Sequence, residues 1–374
     1  MKKILYISDF ILEKNIGAHK LTKAHLGTLR DIVGYENVDV IALTGRNNYK
    51  EDQYFCIRGY ENKFQKMKNF LELNSPFINN NIINTILKKI DENKYNVVFV
   101  DNSIYGKLVK SIKRKFPNIK VISFYHDVKR NLCKLWLKEY GVKYFPDYIV
   151  NIYNEYLNSK YSDFNITLNN REDELFFKYY KKRSDLNLPI YMKKSNKVKE
   201  IINNDFDILF VGAYYYPNVK GIEWFCNNVM NKIKFDCNLY IVGKGMEAIK
   251  SNFNDSRIHV VGTVEDISIY YNKANVVIAP IFDGAGMKVK TAEAFMFGKN
   301  FIGTDESLVG YLENLDCNLK NNYIFLANTE EEYINYLNLL YENKSFNKMN
   351  KEVCEFFLKN YSDKVVLEKL KKIL

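Results

Sequence analysis

Short apolar runs alternate with longer segments of helical period along most of the chain. Ile4, Leu5 and Ile7 predict a buried strand over residues 2–8; a helix is expected over about 20–33 and a strand over 38–43. Residues 53–92 carry two helical patterns broken at Asn74-Ser75-Pro76. Buried strands are expected at 97–100, 119–125 and 165–168, and helices at 103–116, 132–140 and 148–161. Such an alternation is the pattern of a parallel sheet with crossover helices. A charged stretch at 181–200, containing Pro189, breaks it and reads as a linker between domains. The rhythm resumes with a strand at 207–211. A helix from Gly221 follows, with Ile222, Phe225, Val229 and Ile233 on one face. Strands are expected at 239–242, 258–261, 276–279 and 300–304, and helices at 265–273, 287–297, 330–341 and 346–374.

The length, 374 residues, suits about two or three domains. With 47% hydrophobic and 26% charged residues the chain can build an ordinary globular core. No apolar run approaches the roughly 18 residues of a membrane helix, and the apolar stretch after Lys2-Lys3 is too short for a signal peptide. Six scattered cysteines without a C-x-x-C argue against zinc and disulfides and fit a reducing cytoplasm. The net charge of +11 raises nucleic acid, anionic membrane and anionic ligands as partners. No nucleic-acid motif accompanies it, and the richness in Lys, Asn, Ile, Tyr and Phe together is what AT-rich coding produces. Basic clusters at 110–120 and 178–183 are candidates for a face toward anionic membrane, a solvated helix face being the rival reading.

Candidate chemistry concentrates at 276–298. An apolar strand ends at Pro280, and Gly284 and Gly286 permit a loop whose backbone approaches a ligand. The helix expected from Met287 would offer unpartnered N–H groups and the positive end of its dipole to a phosphate. Lys288 and Lys290 fall in its first turn, where cations gain little from the dipole unless an anion lies between them. Val289, Ala292 and Met296 form one face for packing on the sheet; Lys290 and Glu293 form a polar one. The bland alternative is a surface helix with a Lys290–Glu293 pair. His126 stands just past a predicted strand's carboxyl end, where open α/β sheets bind ligands. Asp127 would orient the imidazole or cap the next helix, and Asn169 or Asn170 would cap a helix after 165–168. The loop after the first strand holds Gly17 but no G-x-G-x-x-G, and His19 beside it reads as a satisfied surface residue.

Gly284-Ala285-Gly286-Met287-Lys288-Val289-Lys290, followed by Glu293, resembles the G-G-G-[TM]-[RK]-x-K-x-x-E signature of retaining glycosyltransferases of the GT-B fold, family 4. A second run, with Tyr216, Pro217, Asn218, Gly221, Trp224 and Phe225 in place, resembles the G-S-M-x-Y-x-P-N-x-x-[AG]-[IV]-x-W-F segment of the same subgroup. The resemblance implies an α/β fold of two Rossmann-like domains facing across a cleft, with a C-terminal helix crossing back to the first. The implied boundaries are 1–190 for an acceptor-side domain, 191–206 for the linker, 207–345 for a nucleotide-sugar domain and 346–374 for helices packing back. By resemblance Lys290 binds the donor diphosphate and Glu293 the ribose, and His126 lies near the donor sugar. Lys288 and the loop glycines Gly284 and Gly286 surround the phosphates, and the N–H groups of Gly286 and Met287 would stand in for a donor-sugar contact absent at position 285. Gly17, Gly212 and Gly243 border the site, and the base rests near Val264, after Gly262. Two departures stand out: Ala285 replaces a donor-binding glutamate, and Ala213 replaces a phosphate-binding arginine, with Lys220 out of register. Trp224 reads as core.

The implied activity is metal-independent transfer of a sugar, with retention, from a nucleotide sugar to a glycan or lipid-linked acceptor. A role in bacterial surface polysaccharide synthesis, at the inner face of the membrane, goes with it. No cofactor is expected beyond the nucleotide-sugar substrate. The rivals are a non-catalytic subunit of the same fold and a sugar epimerase.

Overall fold

The computed structural model describes every residue except 1, 14–16, 46–52, 61, 76, 202–204, 285 and 344–348. The chain forms two units, Met1–Pro189 with Val366–Leu374, and Ile190–Val365.

In the first unit seven parallel strands lie in the order β3-β2-β1-β4-β5-β6-β7. They are β1 (Ile4–Ser8), β2 (Val38–Thr44), β3 (Phe55–Arg58), β4 (Val97–Val100), β5 (Lys120–Tyr125), β6 (Phe164–Thr167) and β7 (Leu186–Asn187). The helices between them are α1 (Gly17–Val33), α2 (Lys63–Leu71), α3 (Asn80–Asn93), α4 (Gly106–Lys115), α5 (Lys129–Tyr140), α6 (Phe145–Tyr161) and α7 (Asn170–Tyr180). β1 and β4 are buried throughout, which accounts for their unbroken apolar runs. The core under this face joins Leu5, Ile7, Val98 and Val100 to the apolar side of α3, Ile82, Ile83, Ile86 and Ile90. Order reverses between β1 and β4, so their carboxyl ends form the crevice of this sheet.

Three local readings change. β3 was hidden in a helical pattern because an edge strand half open to solvent has no continuous apolar run. α1 is described from Gly17 onward, so this glycine is helical instead of a loop residue. Two cations of the basic cluster 110–120 are bound within the unit: Lys113 Nζ donates to Asp163 (2.9 Å) and to the carbonyls of Pro117 and Ile119, and Lys120 Nζ to the Ile373 carbonyl (2.9 Å), while Arg114 and Lys115 are exposed. In the other cluster Arg183 pairs with Asp173 at 2.8 Å.

The second unit has six parallel strands in the order β10-β9-β8-β11-β12-β13. They are β8 (Asp207–Val211), β9 (Asn238–Val242), β10 (Ile258–Gly262), β11 (Val276–Ala279), β12 (Asn300–Gly303) and β13 (Ile324–Leu326). Its helices are α8 (Tyr216–Asn228), α9 (Ser268–Lys273), α10 (Val289–Met296), α11 (Asp305–Leu308), α12 (Cys317–Asn322), α13 (Glu330–Glu342) and α14 (Lys351–Tyr361); α15 (Asp363–Ile373) then leads back to the first unit. The switch point here lies between β8 and β11. α8 begins at Tyr216, five residues before the expected start, because Pro217 is well placed in a first turn. Gly221 therefore sits mid-helix, where a Cβ would stand 1.9 Å from the Pro280 carbonyl; its absence lets α8 lie against the end of β11. Trp224 is half-buried, edge-on to Phe282 and Tyr333.

α10 departs from the split helix the spacing suggests. Thr291 through Met296 are all buried, Glu293 included, and Val289 is only half-buried. The cause is α14, whose Phe356 ring meets Phe295 at 5.7 Å. α14 thus belongs to the second unit, and only Val366–Leu374 joins the first, a narrower return than 346–374. The expected linker 191–206 is likewise part of the second unit in its described residues. Within the first unit Val366 and Leu370 are fully buried, and Lys369 Nζ donates to the Asn187 carbonyl at 3.2 Å. Among the described residues no helix is long and apolar enough to cross a membrane.

Candidate functional site

At the switch point of the second sheet, the carboxyl ends of three neighbouring strands are tied together through glycine. Gly212 N donates to Val242 O (2.9 Å) and Gly243 N to Gly262 O (2.8 Å). Gly243 has φ +153°, and a Cβ there would lie 1.9 Å from Gly212 O. Only glycine lets these backbones stack so closely. Val264, half-buried, lies two residues beyond Gly262 on this edge. On the other side of the switch, the β11–α10 loop uses φ +153° at Gly284 and +64° at Gly286, both unfavourable for side-chain-bearing residues. Gly286 and Met287 are buried. Ala285 lies outside the described residues.

Lys288 and Lys290 part company. Lys288 is the N-cap of α10, in extended conformation, not a first-turn residue. Its amine donates to Glu306 Oε1 (2.7 Å) and to Gly286 O (2.9 Å), so it ties the glycine loop to α11. Lys290 is the second helical residue. Its Nζ donates to Asn218 Oδ1 at 2.7 Å and lies 4.4 Å from the centroid of the Phe210 ring. Burial, and secondly the Lys288 charge, push its pKa down to about 7, with Glu293 opposing. Asn218 Nδ2 donates to Ala213 O (2.9 Å), so this one side chain joins Lys290 to the loop after β8. Tyr271 OH donates to Glu293 Oε2 (3.2 Å) and holds the carboxylate in place. The exposed partners Lys220 and Asp283 pair with each other at 2.8 Å.

This arrangement is suited to an anion. An amine close to neutrality, the first turn of an eight-residue helix and a glycine backbone meet at one strand edge. Binding a phosphate would restore the proton to Lys290, because an adjacent anion favours the charged form.

The first unit has its own polar cluster where β1, β4 and β5 end. Asp101, directly after β4, is fully buried. Its Oδ1 meets His126 Nε2 (3.2 Å) and His25 Nδ1 (3.1 Å); its Oδ2 accepts from Tyr6 OH (2.7 Å) and Thr22 Oγ1 (2.5 Å). Burial works against ionisation here, but the two histidines together outweigh it and leave the carboxyl well below the usual range. Burial conversely lowers the pKa of His25. An ionised Asp101 calls for the proton of neutral His126 on Nε2, which makes Nδ1 the acceptor nitrogen. The His126 ring is clamped edge-on to Phe10 and Phe124, each with centroids 4.9 Å away.

The sequence points to His126 but not to the residue that holds it. Asp127 neither orients the imidazole nor caps α5; it pairs with Lys129 at 2.9 Å. α5 is capped from outside by two buried carboxylates. Glu172 accepts from Val128 N (2.9 Å), and Glu155 from Lys129 N (2.7 Å) and Arg130 N (3.0 Å). Asn169 does cap α7, accepting from Glu172 N at 3.0 Å. A signal for Asp101 was present: Asp and Asn follow the apolar run 97–100 directly, the same placement that singles out His126. Asn218 was visible only as a letter in a motif, and Tyr271 and Glu306 carried no signal.

Residues 205–343 match the family model described as "Glycosyl transferases group 1". No curated protein matches the chain by sequence. Among solved structures, a glycosyltransferase from Rickettsia africae ESF-5 is similar over 100% of this chain and 97% of its own, at 13% identity and a TM-score of 0.69. Anabaena Alr3699/HepE, solved in complex with UDP-glucose, is similar over 100% and 99%, at 12% identity and a TM-score of 0.67. An α,α-trehalose-phosphate synthase (UDP-forming) from Burkholderia xenovorans is similar over 100% and 99%, at 9% identity and a TM-score of 0.63. The fold, two parallel-sheet Rossmann-like units, is therefore that of GT-B glycosyltransferases.

Proposed function

We propose that the chain is a glycosyltransferase that takes a sugar from a nucleotide-sugar donor and passes it to a glycan or lipid-linked acceptor. The observation that carries this is Lys290: an enclosed amine at the amino end of α10, held by Asn218 at the β8/β11 switch point. It lies within the stretch that matches the glycosyltransferase model. When the bond from the anomeric carbon to the diphosphate breaks, negative charge grows on the departing oxygen. A protonated Lys290 and the first N–H groups of α10 stabilise that charge, the kind of preorganised electrostatics that dominates such steps. Glu293, steadied by Tyr271, holds the ribose, and the base rests at the Gly262–Val264 edge. His126, fixed by Asp101, supports the donor sugar. The transfer proceeds with retention and without a metal or further cofactor, in the cytoplasm at the inner face of the membrane, in surface polysaccharide synthesis.

Thermal shift against UDP, GDP, dTDP, ADP and CDP, with and without EDTA, tests the donor site. A ligand at 100 times its Kd adds roughly 2.7 kcal/mol of stability, enough to resolve. UDP is the first to try, since the Anabaena structure holds UDP-glucose. A shift with one nucleotide, kept in EDTA and followed by turnover of its sugar, is expected. Ala213, a position without a side chain that reaches a phosphate, favours a second reading, a non-catalytic subunit of the same fold. That reading predicts no shift with any nucleotide. Turnover of the donor sugar into its epimer, without an acceptor, would instead point to an epimerase.

A further inference from the structure

Three tyrosines in a row follow Ala213 in the loop after β8, and all are exposed, Tyr214 most at 57%. A single exposed ring carries no meaning by itself. Tyr214 differs from its neighbours in how it is held. Tyr215 is the N-cap of α8, and the Tyr216 ring lies 5.5 Å from the amine of Lys220, the partner of Asp283. Tyr214 is fixed instead toward the ends of β9 and β10. Its N–H donates to Lys244 O at 2.8 Å. Its Cβ and Cγ stand 2.9 and 3.8 Å from the place a Cβ would take on Gly245. Gly245, at φ +80°, leaves open the space against which the side chain rests. The N–H of the same glycine donates to Thr263 Oγ1 at 3.4 Å, in the loop after β10. The foot of the Tyr214 side chain is thus anchored where two strand ends meet, while most of the residue stays open to solvent.

The loop after β8 runs in the sense of a nucleotide. Asn218 donates to Ala213 O (2.9 Å) and accepts from Lys290 Nζ (2.7 Å), so residue 213 borders the diphosphate end of the candidate site. One residue on, Tyr214 borders Gly245 and, through it, Thr263 in the Gly262–Val264 edge. Ala213 has no side chain to reach a phosphate, which leaves more of the grip to the other end of the ligand.

We infer that the Tyr214 ring is the platform on which the base of the donor nucleotide stacks. The inference rests on the donor-site reading above and adds to it the group that holds the base by its face. A backbone edge such as Gly262–Val264 offers hydrogen bonds in the plane of a base but no flat surface for it. An aromatic ring supplies that surface, and it serves any base, because each has a π face. With its foot fixed by Gly245 and Lys244, the ring loses little freedom on stacking. Tyr214 therefore sets how tightly the base is held and leaves the choice of base to the hydrogen bonds at its edge.

Isothermal titration of the full chain with UDP, GDP, dTDP, ADP, CDP and inorganic pyrophosphate, in wild type, Tyr214→Ala and Tyr214→Phe, is the test. Tyr214→Ala should weaken whichever nucleoside diphosphate wild type binds by roughly ten-fold or more. It should bind pyrophosphate as wild type does, because Lys290 and Asn218 are untouched. Tyr214→Phe, which keeps the ring, should bind the nucleotide nearly as wild type does. Wild-type nucleotide affinity in Tyr214→Ala would overturn the proposal. So would an equal loss for pyrophosphate, which would mean a distorted loop, or a Tyr214→Phe as weak as Tyr214→Ala, which would assign the effect to the hydroxyl. Wild type that binds pyrophosphate as tightly as every nucleotide would overturn the platform and leave Lys290 in its role. Wild type that binds none of these ligands would remove the donor site itself, and the platform with it.

Discussion

Lys290 binds few protons at rest above neutrality, and a bound diphosphate would demand one. With its pKa at about 7, the free protein at pH 8 holds this amine mostly neutral, and nucleotide binding should take up close to one proton. Calorimetry of UDP binding in buffers of different ionisation enthalpy measures that uptake; a value near zero at pH 8 would remove Lys290 from the diphosphate site. The same depression makes the charged amine a burden on the fold. The cost is full below pH 7 and is relieved as pH rises from 7 toward the ordinary lysine value near 10.4. Lys290→Met should therefore keep or raise Tm at pH 6 while abolishing the nucleotide shift. Asp101 makes the opposite contribution, because its folded pKa is depressed. The stability it lends is complete above the unfolded value near 4 and disappears only as pH falls below that. Asp101→Asn should lower kcat by roughly 10²-fold with donor KM little changed, the signature of a residue that positions His126 without touching substrate. At this scale the sequence singles out residues that follow a strand directly or repeat a motif, as His126, Lys290 and Glu293 do. It was silent on the groups that meet at Asp101, because Tyr6, Ser8, Thr22, His25 and His126 come together only once three strands and α1 have assembled.

Elements show how close approach and capping set the site. Gly243→Ala would drive a methyl into Gly212 O, and the neighbouring backbone has no freedom to yield. A loss of about 3 kcal/mol or more is expected in chemical denaturation, together with loss of the nucleotide shift. Glu155 caps α5 from a buried position, accepts from Tyr180 OH (2.5 Å), and has its pKa raised by burial to about 7. A folded pKa above the unfolded one means its support is fully present below about pH 4.5 and is lost as pH rises through 7. Glu155→Gln should flatten that part of the Tm–pH curve. The variant's standing relative to wild type would improve by on the order of 3 kcal/mol between pH 5 and pH 8. Element boundaries were the least legible feature. α8 begins earlier than its apolar periodicity, because Pro217 suits a first turn without adding to the buried stripe. β3 escaped notice because an edge strand has little to bury.

For the whole molecule, the two sheets were legible because doubly covered parallel strands write unbroken apolar runs. The path of the last residues was not, since α14 and α15 have similar amphipathic patterns yet serve different units. Deleting residues 366–374 would strip Val366, Leu370 and Leu374 from the first unit, each worth roughly 1.5–3 kcal/mol when buried. Hydrogen exchange should then show first-unit strands opening, while the second unit keeps its protection and its nucleotide response. The division also sets an order of events at the ribosome. The first unit is translated first but lacks its last piece until residues 190–365 have been made, on the order of ten seconds or more at typical elongation rates. During that interval the earlier unit waits with an uncovered apolar seam. A nascent chain stalled before residue 366 would therefore offer chaperones its oldest half.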